Sequence, residues 1–158
     1  MSVSVERKKQ MSVVNMAKDI KKIYPNSIVC YKVGAFMQIF GKDAYIVSYL
    51  FGYSIKEVNS KESIASCGFP KNAINKVIAK LERNKLNYVI IDTRNNYDVE
   101  SKSDNKNLND YEEILQKAQR YIRCEKRLKQ VVETLLDKVE KEDTIDKIRK
   151  IETIAYEN

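Results

Sequence analysis

Two short runs, residues 28–33 and 87–93, place apolar side chains at successive positions instead of alternate ones, and this constrains the chain more than any other feature. Neighbouring side chains on a strand point to opposite faces, so Ile28, Val29, Cys30 and Tyr31, and likewise Tyr88, Val89, Ile90 and Ile91, need cover on both sides. Helices to supply it are legible nearby. In residues 11–24, Val13, Met16, Ala17, Ile20 and Ile23 recur three or four apart with lysines between them. Residues 42–51 are apolar on most faces, and residues 72–84 gather Ala73, Val77, Ile78 and Leu81 on one side. The expected fold class is α+β, a small mixed β-sheet flanked by helices, followed by a C-terminal two-helix hairpin.

Punctuation between these elements follows from turn chemistry. Pro25 blocks the first helix, Asn26 and Ser27 supply a turn, and Gly52 suits the position just past a helix end. Residues 53–58 and 64–67 read as short strands, Gly68 and Pro70 as the next turn, and Asn72 as the cap of the helix ending at Asn84. Residues 94–109 are rich in Asn, Asp, Ser and Lys, which predicts a mobile loop or loose hairpin. From Asp110 the pattern changes. Ile114, Tyr121, Leu128 and Leu135 recur every seven residues, joined four positions on by Ala118, Val132 and Val139, with Glu125 interrupting the second series. That predicts a helix of roughly 28 residues, and Ile145, Ile148, Ile151 and Ile154 predict another over 144–156, capped by Asp143 or Thr144. The expected organisation is a sheet-bearing domain over 1–93, a polar loop over 94–109 and a helical tail over 110–158.

Composition removes most chemistry. The 158 residues include no histidine, which excludes imidazole bases and ligands and the nucleophile pairs that depend on them. Cys30, Cys67 and Cys124 are odd in number and far apart, unlike a disulfide framework or a zinc site. Neither a glycine-rich phosphate loop nor a run of eighteen apolar residues occurs. No catalytic constellation, cofactor or metal is expected, and a reducing cytoplasm is the expected compartment. The net charge of +7 is unevenly spread, with 18 Lys+Arg against 10 Asp+Glu in residues 1–109. A surplus of this sign favours a polyanionic partner without specifying its sequence. In the long helix, Arg120, Arg123, Lys126, Arg127 and Lys129 surround Tyr121, either as a phosphate-contacting surface or as a solvated face paired with Glu125 and Glu133.

The candidate site is the stretch 31–41, Tyr-Lys-Val-Gly-Ala-Phe-Met-Gln-Ile-Phe-Gly. Gly34 can take φ > 0, so the chain can turn there and offer Phe36 at an edge; the alternative is that Phe36, Ile39 and Phe40 are ordinary core residues. Lys32-Val33-Gly34-Ala35-Phe36-Met37-Gln38-Ile39-Phe40, preceded by Tyr24-Pro25 and followed by Asp43-Ala44 and Ser48, resembles the N-terminal mismatch-recognition domain of the MutS DNA mismatch repair proteins. A second block, Cys67-Gly68-Phe69-Pro70 with Ala73, Ala79-Lys80-Leu81 and Val89-Ile90-Ile91-Asp92, extends the resemblance over roughly residues 11–93. It implies that residues 1–93 form a nucleic-acid-binding domain in which Phe36 wedges into the minor groove and stacks on a mispaired base. Gln38 stands where that family has a hydrogen-bonding Glu, and Ala35 where it usually has Asp. Met37 is expected as an apolar shoulder, with Lys32, Lys42, Lys71 and Lys76 holding the DNA backbone. Without the family's phosphate loop, the resemblance implies a standalone recognition module lacking its ATPase. Lys56-Glu57-Val58 stands where family members commonly carry a Lys-Arg pair. The partner expected is nucleic acid, DNA ahead of RNA. The alternative is a protein-interaction adaptor, or an RNA-binding accessory, that keeps the fold but has lost mismatch reading, its tail serving as a docking or dimer surface. No membrane partner is expected.

Overall fold

The computed structural model describes residues 2–58, 63–137 and 144–156, with side-chain burial from Val13 onward. The elements are α1 (Ser2–Ile23), β1 (Ser27–Val33), β2 (Phe36–Phe40), α2 (Lys42–Phe51), β3 (Lys56–Glu57), β4 (Ala65–Pro70), α3 (Ile74–Arg83), β5 (Asn87–Asp92), β6 (Asp98–Lys102), α4 (Tyr111–Leu136) and α5 (Thr144–Tyr156). The six strands make one mixed sheet in the order β3-β4-β2-β1-β5-β6. β1 and β5, the two runs of dense apolar sequence, lie side by side and parallel at its centre, and every other pairing is antiparallel. The α+β class expected from sequence is the class observed.

Both faces of β1 and β5 are covered. On one face α1 lays Val13, Ala17 and Ile20 over Val29, Tyr31, Val89 and Ile91. On the other, α2, α3 and the first turns of α4 contribute Ile46, Val47, Val77, Leu81, Ile114 and Ala118 against Ile28, Cys30, Met37, Ile39 and Phe69. The helical stripe read for α1 is rotated in the fold: Val14 is buried, while Met16 is 37% and Ile23 68% exposed. A single helix resting on two strands needs only a narrow stripe, so the outer members of a wide one stay in water.

Several boundaries differ from those read in the sequence. The expected strand over 53–58 is ordered as strand only at Lys56–Glu57, and β4 runs on through Gly68 to Pro70 where a turn was expected. Gly68 serves close approach instead, since a Cβ there would sit 3.0 Å from the Met37 carbonyl oxygen. Asn72 gives no side-chain cap; a 3-10 turn over Lys71–Ala73 leads into α3. Residues 94–109, expected as a loose loop, contain β6, which pairs with β5 although all its side chains are exposed. Backbone pairing forms this strand, and Tyr97 packs its ring against the α1-side core beside the turn. The Asn87 side chain secures the segment between β6 and α4 by donating to the Asn105 and Leu108 carbonyls.

A buried carboxylate joins four elements. Asp43, 2% exposed at the start of α2, accepts from the Lys21 ammonium of α1 at 2.7 Å, the Tyr111 hydroxyl of α4 at 2.5 Å and the Val29 amide of β1 at 3.0 Å. Burial pushes the Asp43 carboxyl up and the Lys21 ammonium down; their mutual attraction opposes both shifts, and the Tyr111 and Val29 donors oppose that of Asp43. Lys21 also donates to the Ser27 carbonyl oxygen at 2.7 Å and lies 4.4 Å from the centre of the Tyr111 ring.

The chain divides into two compact units, Met1–Arg120 and Tyr121–Asn158. Tyr111, Leu115 and Ala118 are buried with the sheet, whereas in the second unit Leu128, Val131, Val132, Leu136, Ile145 and Ile154 are exposed. Val139 and Asp143 lie outside the described residues. No helix among the described residues is long and apolar enough to cross a membrane.

Candidate nucleic-acid interface

The site begins at the turn between β1 and β2. Val33 pairs with Phe36, leaving a two-residue connection in which Gly34 takes φ 60°. Glycine at such a position lets the hairpin close without splaying its strands. The turn is anchored from outside, because the Lys71 amide donates to the Ala35 carbonyl oxygen at 3.1 Å. Phe36 therefore starts β2 at a held position, with 55% of its surface exposed.

Strand alternation then sorts the neighbours. Met37 and Ile39 turn into the core beneath the sheet, while Phe36, Gln38 and Phe40 face the side that carries α1. Register extends this row across the sheet: Phe36 opposes Pro70, Gln38 opposes Gly68, and Phe40 opposes Ser66, which in turn opposes Lys56. Since α1 covers β1 and β5, the part of this face over β2, β4 and β3 stays open: Pro70, Gly68 and Lys56 are exposed and Gln38 is half-buried. Gly68 adds no side chain beside Gln38, so the amide is bordered on that side by bare backbone. The result is a strip with a protruding ring at one end, an amide two residues along, and a lysine on the outer strand.

Of the residues expected at the site, Phe36, Gln38 and Lys71 are brought together. Met37 is 1% exposed on the opposite face, where it supports the strand from beneath instead of flanking Phe36. Lys32 also faces that opposite side, paired in register with Met37, and its ammonium lies 2.6 Å from Glu100. Lys76 is exposed on α3, whose buried Val77 and Leu81 belong to the core on Met37's side of the sheet. Lys42 begins α2 at the far end of β2, about 13 Å or more along the strand from Phe36. There it lines a cavity of about 520 Å³ together with Lys18, Lys21, Lys22, Tyr31 and Phe40. Gly68, Pro70 and Lys56 were missed by sequence reasoning. Which residues of β4 oppose Phe36 and Gln38 depends on inter-strand register, and 53–70 carries no alternation strong enough to set it.

The electrostatics follow the division of the chain. Residues 1–120 contain 20 Lys+Arg against 13 Asp+Glu, and residues 121–158 contain 9 of each, so the whole net charge resides with the sheet. Among the described residues no group of His, Cys, Asp and Glu side chains is placed to hold a metal ion.

The open strip with its protruding aromatic is carried on a basic α+β unit. The chain belongs to the family described as MutS domain I, whose model matches residues 12–111. It is 29% identical over 92 residues to the DNA mismatch repair protein MutS of Flavobacterium psychrophilum, which covers 57% of this chain and 11% of that protein. The corresponding protein of Flavobacterium johnsoniae is 30% identical over 86 residues, 53% of this chain and 10% of its own length. That of Salinibacter ruber is 33% identical over 73 residues, 45% of this chain and 8% of its own. The chain thus spans about a tenth of the length of the curated relatives it matches.

Proposed function

We propose that the sheet-bearing unit binds duplex DNA at mispaired or distorted steps, using Phe36 as an inserted wedge and Gln38 as the group that hydrogen-bonds the base. The observation that carries this reading is the exposure of Phe36 on the open strip, two residues from Gln38 and on the same face. A large apolar ring at a pinned turn would otherwise be in water. The relatives' name, DNA mismatch repair protein, and the +7 charge confined to residues 1–120 support the same conclusion.

Inserting a ring between base pairs costs a few kcal/mol of unstacking per step, and a mispair lowers that cost because its stacking is already weakened. Selectivity follows from the difference. Lys71 stands beside the Phe36 turn, and Lys56 lies on the same side of the sheet, where they would meet phosphates and give salt-dependent affinity, with Lys42 at the far end of β2. The unit acts by binding, without catalysis, and the reading carries with it a cytoplasmic place of action.

Fluorescence anisotropy with matched and mismatched duplexes of one sequence tests this. The protein is expected to prefer the mismatched duplex, and Phe36→Ala to remove that preference at a cost of about 1–3 kcal/mol, the value of one base–aromatic stack. Equal binding of the two duplexes by both proteins overturns the reading. The exposed apolar residues of the tail favour a protein, either a partner or a second copy, as the ligand of residues 121–156.

A further inference from the structure

The second half of α4 carries an apolar stripe that is largely exposed. Leu128 is 63% exposed, Val131 and Val132 are each 45%, Leu136 is 64% and Leu135 is half-buried. Their spacing is i, i+3, i+4, i+7 and i+8, one continuous helical face. Contiguous apolar surface of this kind is rare on a monomer and marks a contact site.

The charges on either side of the stripe say what meets it. From Arg120 to Lys129 there are five basic residues and one acidic. From Gln130 to Asp137 there are two acidic residues and no basic one, and beyond it Lys138 and Lys141 alternate with Glu140, Glu142 and Asp143. One end of the face is therefore positive and the other negative, with the apolar stripe at the junction. Over residues 121–158 the charges balance, which limits net self-repulsion between two copies.

We propose that this face is an isologous interface in which residues 120–137 of two copies of the chain pair antiparallel. Rotation about an axis between Val131 and Val132 sets Leu128 of one copy beside Leu135 of the other, and Lys126 beside Asp137. Each basic half meets an acidic half. A parallel pair stacks like charges along the whole seam and is disfavoured by the same sequence. The inference rests on the tail being protein-facing and is independent of whether Phe36 reads mispairs. Its consequence is that a single particle carries two sheet-bearing units, which raises effective concentration wherever both reach one nucleic acid.

Sedimentation equilibrium of the full chain across the micromolar range tests it. A dimer is expected, and Leu128→Asp is expected to yield a monomer whose far-UV circular dichroism and melting of the sheet unit are unchanged. The surface-only variant Lys126→Glu is expected to weaken the dimer roughly tenfold or more, and adding Asp137→Lys in the same chain to restore it. A wild-type chain that remains monomeric overturns the proposal. So does a dimer that the first charge reversal strengthens or leaves unchanged, which is the behaviour of a parallel pair. Phe36-dependent anisotropy is read separately in each variant, so failure of either reading leaves the other standing.

Discussion

At the scale of single residues, Gln38 separates this chain from the pattern its family resemblance implies. Glutamate only accepts hydrogen bonds when ionised and repels phosphate, whereas an amide donates and accepts and carries no charge. On the strip beside Phe36 the amide can satisfy more than one base edge, so binding should be broader and less selective. Gln38→Glu is expected to lower affinity for matched duplex more than for mismatched duplex, widening their ratio. Titration of both duplexes at fixed salt measures it; a ratio that stays constant while both affinities fall would assign Gln38 a purely electrostatic role. Phe36 illustrates how far a residue can be read unaided. The sequence left it either protruding or in the core, and only the parity of β2 relative to Met37 separates these outcomes.

Among the elements, the decisive connection is Asp43, which holds α1, β1, α2 and α4 through Lys21, Val29 and Tyr111. Removing one partner from a buried, fully hydrogen-bonded charge leaves the others unpaired in a medium that solvates them poorly. Asp43→Ala is expected to destabilise the sheet unit by about 3 kcal/mol, measured by urea unfolding; a loss below about 1 kcal/mol would mean that water replaces the carboxylate. The sequence indicates that Asp43 lies in the first turn of a helix. It does not show that three other elements converge there, because those partners are 14 to 68 residues away. β6 is the converse case: its side chains carry no burial signal, and it exists because β5 offers an unpaired backbone edge.

For the molecule as a whole, four buried protons weaken the fold in alkali, opposed by the lowered ammonium of Lys21. Burial raises the Cys30 and Cys67 thiols, the latter to about 12, and raises the Tyr31 and Tyr111 hydroxyls, all four helped by the Asp43 charge. An unfolded chain releases these protons from about pH 9 for thiols and about pH 10 for tyrosines, while the folded chain retains them. Between there and the raised values the unfolded state binds fewer protons, so stability falls as pH rises. The midpoint of thermal unfolding should therefore drop steadily above about pH 9, and a flat profile to about pH 11 would show that these groups are exposed in solution. The same burial makes Cys124 the one exposed thiol of three, so a chromogenic disulfide reagent should titrate a single cysteine in the native protein and all three after denaturation.

What the sequence determined by itself is whatever depends on a residue and its near neighbours. The apolar density of residues 28–33 and 87–93 required a sheet covered on both sides, the three-to-four spacing in the helices supplied the cover, and Gly34 and Gly52 marked places where backbone takes positive φ. These are local because each rests on a period of two or 3.6 residues or on a single torsion. Tertiary structure alone decided which lysines share a side with Phe36, that Gly68 lies bare beside Gln38, and that the first turns of α4 belong to the sheet while the rest of the helix presents an uncovered stripe. Register and partnership bring together residues distant in the chain, and a one-residue shift in either would send every side chain concerned to the opposite face.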